Sequence, residues 1–210
     1  MLNKLYVILV LATCLCDIEA PAPLADTDEM LSISTPITGF LDCIEYREPA
    51  LGERIDSYNG INVYYNGDPS NVFGRNMTAD NYNLGLKYQC VEYIKRFYFI
   101  HYGHRMRDTY GHAKDLFDET LPDRKLNHDR GLYQFINGSE YRPLPGDIMV
   151  FGPNYKNPYG HAGIVTVSKG KFMEIIHQNV GENSRETFMV TEINDKFFVV
   201  DPDVKGWLRK

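Results

Sequence analysis

The stretch Leu86-Lys87-Tyr88-Gln89-Cys90-Val91-Glu92-Tyr93-Ile94-Lys95-Arg96-Phe97-Tyr98 constrains the chain more than any other. Val91, Ile94 and Tyr98 recur three and four apart, the stripe of an amphipathic helix, and Cys90 stands where that pattern begins. A helix start leaves backbone N–H groups unpaired and carries the positive end of the macrodipole, and both favour a thiolate. A free thiol titrates at about 8.5, and a helix start near a cation lowers that value. The stretch therefore reads as a mount for a reactive sulfur, with Glu92, Lys95 and Arg96 on a solvated face. Further on, Gly160-His161-Ala162-Gly163-Ile164-Val165 offers the imidazole that such a nucleophile needs.

The rest of the domain supplies strands. Ile61 to Tyr65 is a strand candidate closed by the turn Asn66-Gly67-Asp68-Pro69, and Asn71 to Leu84 reads as a loop leading to the cysteine helix. Tyr102-Gly103 ends that helix, and Thr109 to Phe117 predicts a second, short one. The apolar run Ile148 to Phe151 predicts a buried strand. Strands are then expected over His161–Val167 and Lys171–Val180, and again over Thr187–Val190 and Phe197–Val200. Helices first and strands later make the class α+β, with N-terminal helices packed on an antiparallel sheet.

Successive strand residues face opposite sides, so His161 shares a face with Gly163, and His177 shares one with Asn179. A hairpin loop of odd length sets His161 across from the His177/Asn179 pair; an even one sets it across from Gln178. Ser168-Lys169-Gly170 fits a three-residue loop, which predicts the first arrangement. Asn179 then fixes the His161 tautomer by a hydrogen bond, or His177 does so in one tautomer. Glu174 falls on the solvated side. Gln89 and the Cys90 backbone N–H are the candidate oxyanion donors.

The chain before the domain is of another kind. Lys4 followed by Leu5 to Ala12 reads as a secretory signal over residues 1–20, cleaved after Ala20. Leu11-Ala12-Thr13-Cys14 also resembles a loose lipobox, which makes a lipid anchor at Cys14 the alternative. Residues 21–50 read as a Pro-bearing tether, and residues 51–210 as the catalytic domain. The expected location is thus secreted or periplasmic. Export leaves Cys43 and Cys90, both expected reduced, or Cys43 buried and inert, since a bond between them would extinguish the nucleophile. The sequons at Asn76 and Asn137 are read as chance.

The net charge of −6 excludes a nucleic-acid binder, which needs a basic face. His101, His104 and His112 lack the thiolate or carboxylate company of a zinc site, and Asp201-Pro202-Asp203 reads as a turn, so neither metal nor cofactor is expected.

Tyr88 to Tyr93, the Gly160-His161 strand and Glu174 to Val180 together resemble the CHAP family of cysteine, histidine-dependent amidohydrolases and peptidases. Within it the likeness is greatest to the amidase half of bifunctional glutathionylspermidine synthetase/amidases. It extends to Phe135-Ile136-Asn137-Gly138-Ser139, Pro145-Gly146 and Gly206-Trp207. The resemblance implies a papain-like fold and amide hydrolysis by Cys90 and His161. In that amidase a glutamate orients the histidine; His177 holds its place here, which leaves Asn179 and His177 as rival third members. The expected substrate is a peptidoglycan peptide, with a small amide of the glutathionylspermidine type as runner-up. A binding module that keeps the groove without turnover is the alternative of another class. Oligomeric state is open.

Overall fold

A computed structural model describes residues 47–107 and 111–210, which belong to one compact unit. The leader, most of the tether, Cys14 and Cys43 lie outside the described residues. Two small hairpins come first: β1 (Arg54–Tyr58) with β2 (Ile61–Tyr64), and β3 (Arg75–Met77) with β4 (Asn83–Leu86). The helix α1 (Cys90–Tyr102) follows, then a 3-10 turn at Ala113–Leu116. The remaining strands are β5 (Lys125–Asn127), β6 (Leu132–Ile136), β7 (Ile148–Phe151), β8 (His161–Lys169), β9 (Phe172–His177), β10 (Arg185–Ile193), β11 (Lys196–Val199) and β12 (Val204–Arg209). They form an eight-stranded sheet in the order β11-β10-β9-β8-β7-β12-β6-β5, every neighbouring pair antiparallel.

The described residues are mostly β-sheet with one α-helix, and of the expected N-terminal helices they show α1. The second predicted helix shrinks to the 3-10 turn. The segment expected to be a loop before Cys90 holds the β3–β4 hairpin, whose short strands carry no long apolar alternation for a sequence pattern to reveal. The C-terminal strand β12 slots between β6 and β7, a long-range pairing with no local signal.

The central strands are buried on both faces. Ile148 and Val150 of β7, Ile164 of β8 and Leu208 of β12 meet Ile94, Phe97 and Tyr98 of α1. Met149, Val165, Ile175 and Trp207 point the other way, into a second core with Phe188 and Val190 of β10. Each such side chain, fully buried, stabilises by roughly 1.5–3 kcal/mol relative to exposure, so α1 is fixed firmly on the sheet. Gly103 ends it in a left-handed conformation (φ 59°), as the Tyr102-Gly103 signal predicts.

The face of α1 expected to be solvated is not. Glu92, Lys95 and Arg96 are 1%, 5% and 7% exposed, because the two hairpins cover that side. Gly85 of β4 makes this close approach possible. A Cβ there would stand 3.0 Å from the Glu92 Cα, and the residue's φ of 128° suits glycine alone.

Candidate active site

Cys90 is the first residue of α1, and Gln89 before it has extended backbone with no side-chain cap. The first-turn amides are therefore left to the site, and the N–H groups of Cys90 and Val91 both donate toward the Cys90 sulfur. A third donor, the Ala162 backbone N–H, reaches the same sulfur from β8. The thiol thus sits against the start of the strand whose first residue is His161. Cys90 and His161 line one groove of about 1010 Å³, bounded on one side by Pro69, Val72 and Leu86 and on the other by His112, Pro158 and Tyr159.

His161 and His177 are joined by a hydrogen bond of 3.0 Å between His161 Nε2 and His177 Nδ1, their rings edge to face at 69°. The faces coincide as expected, but for a different reason. Lys169 pairs with Phe172, so the turn is the two-residue Gly170-Lys171, an even loop that alone would turn His161 away from His177. A bulge between Val165 and Val167 inserts one residue and restores the parity, so that Gly163 pairs with His177. The three-residue loop Ser168-Lys169-Gly170 is thereby corrected. The His161 ring reaches His177 diagonally across Gly163, where a Cβ would lie 3.2 Å from that of His177 and 2.9 Å from Ile175 Cδ1.

Asn179 does not touch His161. Its left-handed backbone (φ 71°) carries the chain out of the β8–β9 ladder. Its Nδ2 donates to Gln89 Oε1 at 2.8 Å and to the Pro69 carbonyl at 3.1 Å, and its Oδ1 accepts from Asn66 Nδ2 at 2.6 Å. The reading of Asn179 as the group that orients His161 is corrected. Gln89 as an oxyanion donor is corrected too: its Nε2 donates to the carbonyls of Asn71 (2.7 Å) and Pro69 (3.2 Å), which uses both of its N–H groups. Asn179, Gln89 and Asn66 instead brace the 66–71 loop that walls the groove.

Sequence reasoning missed the network beneath the nucleophile. Arg96 Nε donates to Glu92 Oε1 at 2.6 Å, and Asn76 donates to the same oxygen at 2.7 Å. Gln178, fully buried, donates to Glu92 Oε2 at 2.8 Å and to the Gln89 carbonyl at 3.2 Å, while its Oε1 accepts from the Tyr64 N–H at 2.9 Å. The spacing of Glu92 and Arg96, four apart on a helix, was the available signal. Asn76 has its amide nitrogen occupied here, and Asn137 donates to the Val199 carbonyl at 3.0 Å, so both sequon asparagines do structural work. Glu174 accepts from Thr166 and Arg185 at the sheet surface. His101, His104 and His112 are separate: His101 meets Tyr102 edge to face, His104 pairs with the Arg130 carbonyl, and His112 lies against Tyr159. Among the described residues no three metal-ligating side chains gather.

Burial sets the protonation of the site. The Cys90 thiol is pushed up to about 11 by desolvation, which outweighs the three backbone N–H groups that favour the thiolate. The expected lowering by the helix start is therefore corrected, because that start is enclosed by the sheet. His161 is pulled down to about 3, first by desolvation and then by the facing His177. Desolvation takes His177 to about 4, against the opposing effect of a hydrogen bond to the Asn183 backbone. At neutral pH all three groups are uncharged.

Comparison with known proteins fits this geometry. Residues 80–179 match the family model described as CHAP domain. Over 150 aligned residues the chain is 32% identical to the bifunctional glutathionylspermidine synthetase/amidase of Escherichia coli (strain K12), covering 64% of this chain and 23% of that protein. The protein of the same name from Shigella flexneri matches equally. Trypanothione synthetase of Crithidia fasciculata is 25% identical over 119 residues, with 57% of this chain and 18% of that protein covered. The chain thus spans about a quarter or less of the length of these relatives.

Proposed function

Because residues 80–179 make this chain the bearer of a CHAP domain, we propose that it is a cysteine amidohydrolase using Cys90 and His161. The observation that carries this reading is a free thiol at a helix start, touched by the Ala162 amide, with the imidazole of the adjacent residue opening on the same groove. His161 Nε2 is engaged by His177, so Nδ1 is the nitrogen left for proton transfer.

With the site uncharged at rest, the thiol proton passes to His161 Nδ1 as sulfur attacks the substrate carbonyl. The first-turn amides stabilise the developing oxyanion, and their enclosure makes them worth more than in water. Collapse breaks the C–N bond, and the Nδ1 proton goes to the departing nitrogen. A thioester and a free amine remain. Water then adds with its proton taken by Nδ1; the C–S bond breaks, the sulfur regains that proton, and the acid leaves.

The relatives' names favour a glutathionylspermidine-type amide as the first substrate to test. The leader, read as an export signal, favours peptidoglycan peptides as the second. Incubation of the purified protein with each, followed by mass spectrometry of the products, is expected to show a released amine. Cys90→Ala is expected to lose about a thousandfold or more of the rate. Full activity in that variant overturns the mechanism. Burial of the thiol favours a second reading, a binding module without turnover; hydrolysis of neither substrate by the wild type, with measurable binding of one of them, supports it.

A further inference from the structure

The two halves of the site come from segments far apart in the chain, and one buried side chain joins the end of the hairpin to the head of the helix. Gln178 directly follows His177, the last residue of β9, and is fully buried. Its Nε2 donates to the Gln89 carbonyl at 3.2 Å and to Glu92 Oε2 at 2.8 Å. Its Oε1 accepts from the Tyr64 N–H at 2.9 Å and from Arg96 Nη2 at 3.2 Å. A carboxamide has two donor hydrogens and two acceptor lone pairs, so the whole capacity of Gln178 is in use. A fully satisfied group in a dry interior is held in one orientation.

The Gln89 carbonyl is one end of a rigid unit whose other end is the Cys90 N–H. A trans peptide is planar, and its C=O and following N–H point in opposite directions. Gln89 stands just outside the helix, with extended backbone (φ −79°, ψ 160°). From the helix its carbonyl receives a long bond, 3.3 Å from the Tyr93 nitrogen. The helix by itself therefore holds this peptide plane loosely, and Gln178 adds the second grip. We propose that Gln178 is a positioning residue for the oxyanion donor: by holding the Gln89 carbonyl from within, it aims the Cys90 N–H at the groove. By donating to that carbonyl it also polarises the peptide, which makes the N–H a stronger donor. The proposal rests on the Cys–His reading above.

Gln178 acts through the backbone alone. Gln89, Cys90 and Val91 line the groove, and Gln178 lies behind them, outside its lining. Two neighbours supply contrasts. Asn179 also reaches Gln89, but at the side-chain oxygen, and leaves the carbonyl alone. Asn76 donates to Glu92 Oε1 at 2.7 Å and so shares the buried network without a bond to Gln89.

The test uses the full chain and three readouts: turnover of glutathionylspermidine and of peptidoglycan peptides, alkylation of Cys90 by iodoacetamide, and the Cys90 amide nitrogen resonance by NMR. In Gln178→Glu the new carboxyl is buried against Glu92 and stays protonated. It still accepts from Tyr64 and Arg96, and its single O–H goes to the Glu92 carboxylate, so the bond to the Gln89 carbonyl is the one lost. Its kcat is expected to fall about tenfold with KM changed by less than about threefold, since an oxyanion donor acts in the transition state. Gln178→Met, which removes every bond, is expected to lose about a hundredfold in kcat. Asn76→Ala is expected to lose stability yet keep kcat within about threefold. Alkylation, a displacement at saturated carbon that forms no oxyanion, is expected to stay within about threefold throughout. The Cys90 amide nitrogen resonance is expected to move in Gln178→Glu and to stay in place in Asn76→Ala. Should Gln178→Met fail to fold, Gln178→Glu, which keeps the shape of the side chain, carries the test. A wild-type kcat in Gln178→Glu, or a loss matched in Asn76→Ala or in the alkylation rate, overturns the proposal. Absence of turnover in the wild type removes the hydrolase reading instead; an unmoved Cys90 resonance in Gln178→Glu then overturns the proposal without any substrate, and a moved one upholds the grip on that amide.

Discussion

One turn of helix separates two buried polar clusters that solve the same problem in opposite ways. Glu92 and Arg96 are buried as ions, and every oxygen of Glu92 has a donor: Arg96, Asn76 and Gln178. Cys90, His161 and His177 are buried as neutral groups, with two imidazoles and no opposite charge. Charge survives burial only where partners replace the lost water. Where they are withheld, desolvation selects the uncharged form. The first cluster holds the helix start rigid, and the second, resting on it, stays free to exchange a proton with substrate.

The largest effect should come from breaking the charged cluster. Glu92→Ala leaves the Arg96 guanidinium buried without its carboxylate, and is expected to cost about 3–5 kcal/mol in chemical denaturation. Replacing both residues by Met should recover much of that loss. A cost of Glu92→Ala within 1 kcal/mol or so, the range of an exposed pair, would remove the contrast between the clusters.

The neutral cluster predicts how stability follows pH. His161 and His177 titrate at about 3 and about 4 when folded, below the unfolded value of about 6.5. Their contribution is thus complete above about 6.5 and is lost as pH falls through the folded values, because the unfolded chain takes up protons first. The Cys90 contribution runs the other way, present below about 8.5 and lost as pH rises toward about 11. The melting temperature should be highest between about pH 7 and 8.5. His177→Gln should flatten the acid side by roughly a third to a half; an unchanged acid slope would show that the ring is not desolvated.

Asn179→Ala sharpens the comparison most gently. It removes the brace between Gln89 and the 66–71 loop, with an expected stability loss of about 1–2 kcal/mol. Since Asn179 has no bond to His161, the pH profile of turnover should not shift, and the change should appear chiefly in KM. A shifted profile would return Asn179 to the role the sequence suggested.

Particular residues show where a sequence pattern carries information and where it fails. Strand β7 has the bounds that its apolar run predicts, because burial on both faces leaves an unbroken hydrophobic signature. Gly103 ends α1 as expected. By contrast, Glu92 and Arg96 looked solvated, since exposure was inferred from polarity and the covering hairpins had no periodicity to announce them. The His161–His177 meeting was expected from a loop that does not exist. A bulge at Thr166 supplied the missing residue, and a bulge has no composition that distinguishes it from the regular strand around it.

By itself the sequence determined a helix with a cysteine at its head and a later strand that opens with histidine, because both periods are written in the spacing of apolar side chains. It also carried the likeness to the CHAP family, which needs only residues in order. Only the tertiary structure decided that the thiol rests protonated, that His177 and not Asn179 meets His161, and that Gln89 serves a loop. Each of those outcomes depends on how much water is excluded and which polar atoms face one another across distant segments, quantities that do not exist until the sheet has closed over the helix.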